Sequence, residues 1–526
     1  MTPYLQLLYG AAVMVSFWAV FRSLVFNMHM FQLNGYRAST HFSWLGKNLK
    51  HYSMECIVLL LSFTGLIPQE NDPMMGFGAA ALLLGICGLI ASNRSKKAKK
   101  PLVYTPRVRR MLITVVLLFM LGLAGDFLLV ASGRNHLAFL LLGLLNALAP
   151  LFVPLANLIN KPMELSVNRH YTNEAKRMLK SCPDLQTLGI TGSYGKTGVK
   201  FYLYTILRAW TDTLVTPESY NTPMGVVKTV RGSLRSYHKI FLCEMGAKWV
   251  GDIRELCDIV HPQHGLITAL GDQHLESFGS VENIIKTKYE LADALPANGR
   301  LYVNWDNDRI REHPPKRACI RYGTREDCDY RAFDITVSPA GTKFKVSAPD
   351  GSVTAFETKL LGGHVALNIT GAIACANGFG MPMAEMVTPV RRIESVPHRM
   401  QLIDKGSLTI IDDAFNSNPA GCKAALETLA MMDGERILVT PGMVELGEKE
   451  YALNKEFGKQ AAAACDRVVL VGEKQTLAIA EGVKEAGGEK KLHVADTFGD
   501  AMGYVYGLQT EKKKIVLLEN DLPDNY

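Results

Sequence analysis

The sequence predicts an α-helical membrane domain followed by α/β architecture: a phosphate-loop domain, then a doubly wound, Rossmann-like one. Three observations predict it. The first 160 of the 526 residues hold five apolar stretches with Lys and Arg gathered between them. An apolar run, Leu188 to Ile190, enters the glycine loop Thr191-Gly192-Ser193-Tyr194-Gly195-Lys196-Thr197, and a helix-compatible run, Val199 to Trp210, leaves it. From about Gln401 onward, apolar strand-like runs alternate with helix-like ones. Such alternation is the pattern of parallel sheets covered by helices.

Charge separates the two parts. The formal net charge is +7, yet residues 1–160 carry 13 Lys and Arg against only Glu55, Glu70, Asp72 and Asp126. The rest of the chain is close to balanced, so the basic excess lies in the apolar part. That pattern is a topology signal and argues against a nucleic-acid-binding face. Ten cysteines occur with no C-x-x-C pair, which argues against a zinc ribbon or disulfide framework and for reduced thiols in a cytosolic fold.

The apolar stretches are Tyr4–Val20, Ser53–Ile67, Met74–Ser92, Met111–Ala131 and Leu137–Ile159. A helix of ~20 mainly apolar residues crosses ~30 Å of hydrocarbon. No Lys or Arg precedes Arg22, so a cleaved signal peptide is not expected. The first loop holds Arg22, Arg37, Lys47 and Lys50, the second only acids, and the third the basic run from Arg94 to Arg110. The positive-inside rule then puts the N-terminus outside and everything after Ile159 in the cytoplasm, where ATP is. The expectation is a multi-pass protein of a bacterial-type cytoplasmic membrane. The basic run reads as a topology signal, with anionic headgroup binding as the alternative. Asp126 falls inside the fourth stretch, where a carboxylate faces a partner or a substrate, or sits protonated or near the interface.

The glycine loop can cradle phosphate. Its glycines let backbone N–H groups approach an anion, the following helix adds its positive end, Lys196 reaches the outer phosphates and Thr197 offers a hydroxyl to Mg²⁺. Ile190 stands where the strict pattern has its first glycine, so the loop by itself reads equally as an ordinary turn. The strand-like run Lys239–Cys243 ends at Glu244, an acid placed to anchor the same Mg²⁺.

Further motifs follow in order. They are His274-Leu275-Glu276 with Phe278-Gly279-Ser280, then Asn304, then Gly363-His364-Val365-Ala366-Leu367-Asn368, then His398-Arg399. Asp412-Asp413-Ala414-Phe415-Asn416-Ser417-Asn418-Pro419 and Glu445-Leu446-Gly447 complete the set. With these motifs the chain resembles the Mur ligase family, most closely its D-alanyl-D-alanine-adding (MurF-type) branch, over about residues 185–520. The resemblance implies a membrane domain at 1–160, a linker at 161–184, a central ATP-binding domain at 185–400 and a Rossmann-like domain at 401–526.

It also implies a reaction. ATP activates a carboxylate as an acyl phosphate, and an amine displaces phosphate to give an amide, as in cell-wall precursor synthesis. Lys196, His274 and Lys288 would be catalytic. Gly192, Ser193, Tyr194, Gly195, Lys196, Thr197, Asn304, Asn368, Arg399 and Asp413 would bind the nucleotide. Thr197, Glu244, His274 and Lys288 would hold two Mg²⁺ ions. Lys288 alone reads as a solvated helix lysine; the resemblance makes it a carbamylated one, and it leaves Asn304 equally readable as a turn residue. The partners are a small-molecule amine, a carboxylate acceptor and the membrane, with no nucleic acid.

The chain departs from the family in four ways. Membrane stretches stand where the uridine-nucleotide-binding domain belongs, so the expected acceptor is lipid-linked, such as a muropeptide. Phe415 replaces tyrosine and Val365 an asparagine. The tail from Glu519 to Asp524 is acidic where the branch has Lys-Gly-Ser, which leaves the amine open. A Mur-like ligase for another polymer, such as poly-γ-glutamate, and a transport ATPase are the competing readings.

Overall fold

The apolar runs of the polar part become the strands of two sheets, because a parallel strand covered on both faces needs side chains that can leave water on both. The computed structural model describes residues 3–52, 57, 60, 86, 101–273, 275–338, 340–415 and 417–521. It divides into one unit of Met1–Arg169 and a second of His170–Leu522.

In the second unit, nine strands form the larger sheet. They are β1 (Gln186–Thr191), β2 (Thr213–Val215), β3 (Ile240–Glu244), β4 (His264–Ile267), β5 (Leu301–Asn304), β6 (Ile320–Gly323), β7 (Tyr330–Ser338), β8 (Gly341–Ser347) and β9 (Val353–Thr358). Their order is β2-β3-β1-β4-β5-β6-β7-β8-β9. Pairing is parallel from β2 to β7, and β7, β8 and β9 form an antiparallel meander. Leu188, Ile190, Leu242 and Leu266 pack on one face with Val199, Leu203 and Ile206 of the Lys196–Leu207 helix and Ile369 and Ile373 of the Gly363–Gly378 helix. Phe241, Cys243 and Ile267 pack on the other face with Ile253 and Leu256 of the Asp252–Val260 helix and Leu291 of the Val281–Ala294 helix. The neighbours of β1 are reached from opposite directions along the chain. This makes its carboxyl end a topological switch point, the place where such sheets bind ligands.

The smaller sheet contains β10 (Gln401–Asp404), β11 (Leu408–Asp413), β12 (Glu435–Thr440), β13 (Arg467–Val471), β14 (Leu492–Ala495) and β15 (Lys514–Glu519), ordered β10-β11-β15-β12-β13-β14. All pairs are parallel except β10 with β11. Helices Pro419–Ala430, Glu450–Ala464, Leu477–Glu485 and Phe498–Gly507 connect the strands. Asn418 starts the first of these, accepting from the Gly421 N–H ahead of Pro419. The eight described cysteines are all free.

The first unit is helical: Pro3–Leu33, Ala38–Lys47, Pro106–Ala131, Asn135–Ala147 and Ala149–Lys180. Tyr9–Leu33 and Pro106–Ala131 are long and apolar enough to cross a membrane, and a bent pair offers a third candidate. Two expectations are corrected here. Arg22, expected in the first loop, lies inside the first helix, which runs on to Leu33. The expected single span Leu137–Ile159 is broken by 69° at Leu148. Pro150 follows the break, and a proline cannot continue a preceding helix's hydrogen bonding. The helix then continues through the expected 161–184 linker as far as Lys180. The stretches Ser53–Ile67 and Met74–Ser92 and the basic residues Arg94 to Lys100 lie outside the described residues, apart from single positions. Asp126 is buried and accepts a 2.6 Å hydrogen bond from the Tyr9 hydroxyl.

Candidate nucleotide and metal site

The glycine loop follows β1 and opens the Lys196–Leu207 helix, as its residues predict. Gly195 caps that helix at φ +79°, a left-handed conformation open to glycine at little cost. Gly192 has φ +148°, and a Cβ there would lie 2.2 Å from the Thr268 hydroxyl. Thr268, just past β4, also donates to the Tyr194 carbonyl. Ser193 spends its N–H on the Ala269 carbonyl and its hydroxyl on the Gly271 peptide. The Tyr194 ring packs on Gly271, where any Cβ would strike it. These two side chains therefore brace the loop from behind.

Lys196 donates to the carbonyls of Gly192 at 2.6 Å and Ser193 at 3.1 Å. Burial pulls its ammonium down to about 8, with Glu244 opposing and Arg399 adding to the shift. Thr197 donates to Glu244 Oε1 at 3.1 Å, so the two residues expected to share a metal are in contact. Hard oxygen donors of this kind, completed by phosphate oxygens, suit Mg²⁺. Asn221 Nδ2 also reaches Glu244 Oε1, at 3.0 Å. Lys200 meets Oε2 at 3.0 Å, with both side chains almost fully buried. Burial pushes the Glu244 carboxyl up, but Lys200, Lys196 and the Asn221 hydrogen bond together hold it below the ordinary glutamate value.

Other elements close on the same place. Arg399 Nη2 donates to Thr197 Oγ1 at 3.3 Å, and its guanidinium lies 4.4 Å over the exposed Phe415 ring. Asp413, at the end of β11, accepts from the Met400 N–H and lies within electrostatic range of Arg399. Asn368, on the Gly363–Gly378 helix, sits against Gly195, where a Cβ would come within 3.2 Å of its Oδ1. Asn304 is buried with both polar atoms engaged, Nδ2 on the Thr268 carbonyl and Oδ1 on the Asp306 N–H.

Lys288 lies on the Val281–Ala294 helix and is 2% exposed. Its ammonium is 5.9 Å from the Phe278 ring, and among the described residues it has no hydrogen-bonded or ion-paired partner. Burial drives it well below the ordinary lysine value, and the charge of Lys196 adds to this while Asp252 and Glu290 oppose. His274 lies outside the described residues.

Lys200, Asn221 and Thr268 are the residues that reading the sequence missed. Lys200 offered one signal, its spacing of one helical turn from Lys196. Thr268 lies inside the apolar run Gly265–Leu270 and Asn221 opens the turn-like Asn221-Thr222-Pro223, so neither place points to a site.

Two family models match the chain: "Mur ligase middle domain" over residues 190–376 and "Mur ligase, glutamate ligase domain" over 398–519. The UDP-N-acetylmuramoyl-tripeptide–D-alanyl-D-alanine ligase of Escherichia coli is 31% identical over 343 residues, 64% of this chain and 74% of that enzyme. The Bacillus subtilis enzyme of the same name is 30% identical over 301 residues, 56% of this chain and 65% of that one. A crystal structure of MurF from Acinetobacter baumannii superposes with a TM-score of 0.62 at 25% identity, covering 68% of this chain and 78% of that chain.

Proposed function

The chain belongs to the Mur ligase family of ATP-dependent amide ligases, and we propose that it joins an amino acid or dipeptide amine to a membrane-held muropeptide carboxylate. The observation that carries the ligase site is the junction of Thr197, Glu244 and Arg399. It joins the loop, the end of β3 and the segment leading into the smaller sheet at one point.

Lys196 and the loop backbone of Gly192, Tyr194 and Gly195 receive the phosphates, with Ser193 bracing the loop from behind. Asn368, against Gly195, would reach the base while Asn304 holds the Thr268 and Asp306 backbone beside the loop, and Arg399 and Asp413 would meet the nucleotide from the hinge and the smaller sheet. The family uses ATP and Mg²⁺. Thr197 and Glu244 would hold one ion, and His274 and Lys288 a second. When bound, the ions draw charge from the phosphate oxygens as the acyl phosphate forms and as phosphate later leaves. The acceptor carboxylate attacks the γ-phosphorus and ADP departs. The amine then attacks the acyl carbon, phosphate departs, and the new amide nitrogen gives up a proton.

Lys288 supports a carbamate. Its neutral amine adds CO₂ and loses one proton, becoming an anionic carbamate that offers oxygen ligands. Only a neutral amine can do this, and burial favours the neutral form. Isotope-labelled bicarbonate should give a carbamate resonance in the wild type that Lys288→Ala lacks; identical spectra would count against it.

The membrane-held acceptor is supported by candidate spans ahead of residue 190, where the family match begins. The amine and uridine-linked acceptor in the relatives' names are the starting substrates for a screen. Detergent-purified full chain should make amide, read by mass, from a lipid-linked muropeptide and D-alanyl-D-alanine with ADP release. Turnover confined to the uridine-linked acceptor would overturn the membrane half.

A further inference from the structure

We infer that Lys200 is a positioning residue that aims the Glu244 carboxylate at the divalent cation of the bound nucleotide. This rests on reading the glycine loop as the metal–nucleotide site.

Lys200 is four residues beyond Lys196 on the same helix, hence on the same face. Lys196 lies with the loop carbonyls, whereas Lys200 points into the fold and is 0% exposed. A lysine is almost never fully buried without a partner. Lys200 has three: Glu244 Oε2 at 3.0 Å, the Glu218 carbonyl, and the face of Phe201 with its ammonium 4.3 Å from the ring centroid.

Those contacts divide the labour at Glu244. Oε2 is held by Lys200, while Oε1 accepts from Thr197 and Asn221. The oxygen shared with Thr197 is therefore turned toward the loop, and the other is turned away from it. Asn221 is fixed in turn, because its carbonyl accepts from the Gly246 N–H at 2.8 Å. The Glu244 N–H is tied to the Thr216 hydroxyl at 3.1 Å. Lys200 thus clamps the 216–221 loop and the carboxylate together.

The test measures metal and nucleotide binding separately on the full chain in detergent. Mn²⁺ binding in the presence of ADP is read by electron paramagnetic resonance, and ADP binding in EDTA by a fluorescent analogue. Lys200→Met should weaken Mn²⁺ about 10- to 100-fold, the usual cost of losing a partner of a metal ligand. Metal-free ADP binding should change by less than about threefold. A merely structural lysine would move both or neither. Lys200→Gln keeps an uncharged N–H donor group, guarding against a methionine variant that does not fold, and it should weaken Mn²⁺ at least about threefold. Wild-type Mn²⁺ affinity in either folded variant overturns the inference. Glu244→Gln is the reference. If it too binds Mn²⁺ like the wild type, the metal-site reading fails; if it is weakened while the lysine variants are not, only the role of Lys200 fails.

Discussion

Each sheet of the second unit has carboxylates at the ends of certain parallel strands, Glu244 in the larger sheet and Asp413 and Glu519 in the smaller, and the two treat them oppositely. Glu244 ends β3, next to β1. Its two oxygens meet Lys200, Thr197 and Asn221, and it stays below the ordinary glutamate value. Asp413 and Glu519 end β11 and β15 and stand opposite each other in register. Glu519 is 1% exposed, with Ser417 Oγ at 2.5 Å and Cys422 Sγ at 3.3 Å. Among the described residues, no Lys or Arg pairs with it. Burial, with the charge of Asp413 adding, pushes Glu519 well above the ordinary value. Burial likewise pushes Asp413 up to about 6, the Met400 N–H and Arg399 opposing. The lesson is that counter-charge, not place in the fold, decides whether a buried carboxylate awaits a cation or holds a proton.

The most severe way to break the comparison is at the charged site. Lys196→Ala removes the cation facing the outer phosphates, and ATP turnover should fall at least about 100-fold, as when a single transition-state donor is lost. Membrane insertion should be unchanged. Near-normal ADP release would show that the loop does not hold the phosphates.

A milder change sharpens the contrast. Glu519→Gln should leave the fold intact, because the amide replaces an acid that already holds its proton. Asp413 and Glu519 keep protons that the unfolded chain releases. Stability should therefore fall as pH rises from their ordinary values, 3.8 and 4.5, through their raised folded values. Glu519→Gln abolishes its share of that fall. Its Tm should match the wild type below about pH 4.5 and exceed it at pH 8, by roughly 2–4 °C for each kcal/mol recovered. A variant less stable than the wild type at pH 8 would mean that Glu519 is ionised and paired.

The smallest effect belongs to an exposed pair. Lys248 Nζ meets Glu445 Oε1 at 3.1 Å, with the lysine 57% exposed. Such pairs contribute ~0–1 kcal/mol. Lys248→Gln should change the KM for ATP by at most about fivefold, and added salt should erase the difference. A larger loss would place this bridge among the groups that hold the two sheets together.

Strands buried on both faces were legible from sequence. Leu188–Ile190 and Lys239–Cys243 read as apolar runs and are strands, and the alternating apolar runs after Gln401 are β11, β12, β13 and β15. The β7–β9 meander was not read, because β7 carries charges at Arg331 and Asp334 and its second half alternates half-buried and exposed side chains. The edge strands β10 and β14 are short and half-exposed, and they were missed as well. In the first unit, apolarity marked the helices but not their ends. Arg22 reads as a boundary, although the backbone hydrogen bonds of a helix continue past a charge that packing can accommodate.

By itself the sequence determined the family, the place of the glycine loop and the acid at the end of β3. These are local facts, set by residue type and spacing along one stretch of chain. The tertiary structure alone decided that Lys200 is a buried partner of Glu244 and not a solvated helix lysine. It also decided that Ser193 braces the loop, that Lys288 is buried, and that Asp413 and Glu519 stand side by side. The reason is physical. What a charged side chain does depends on the groups within a few ångströms of it, and here those come from stretches far apart in the chain.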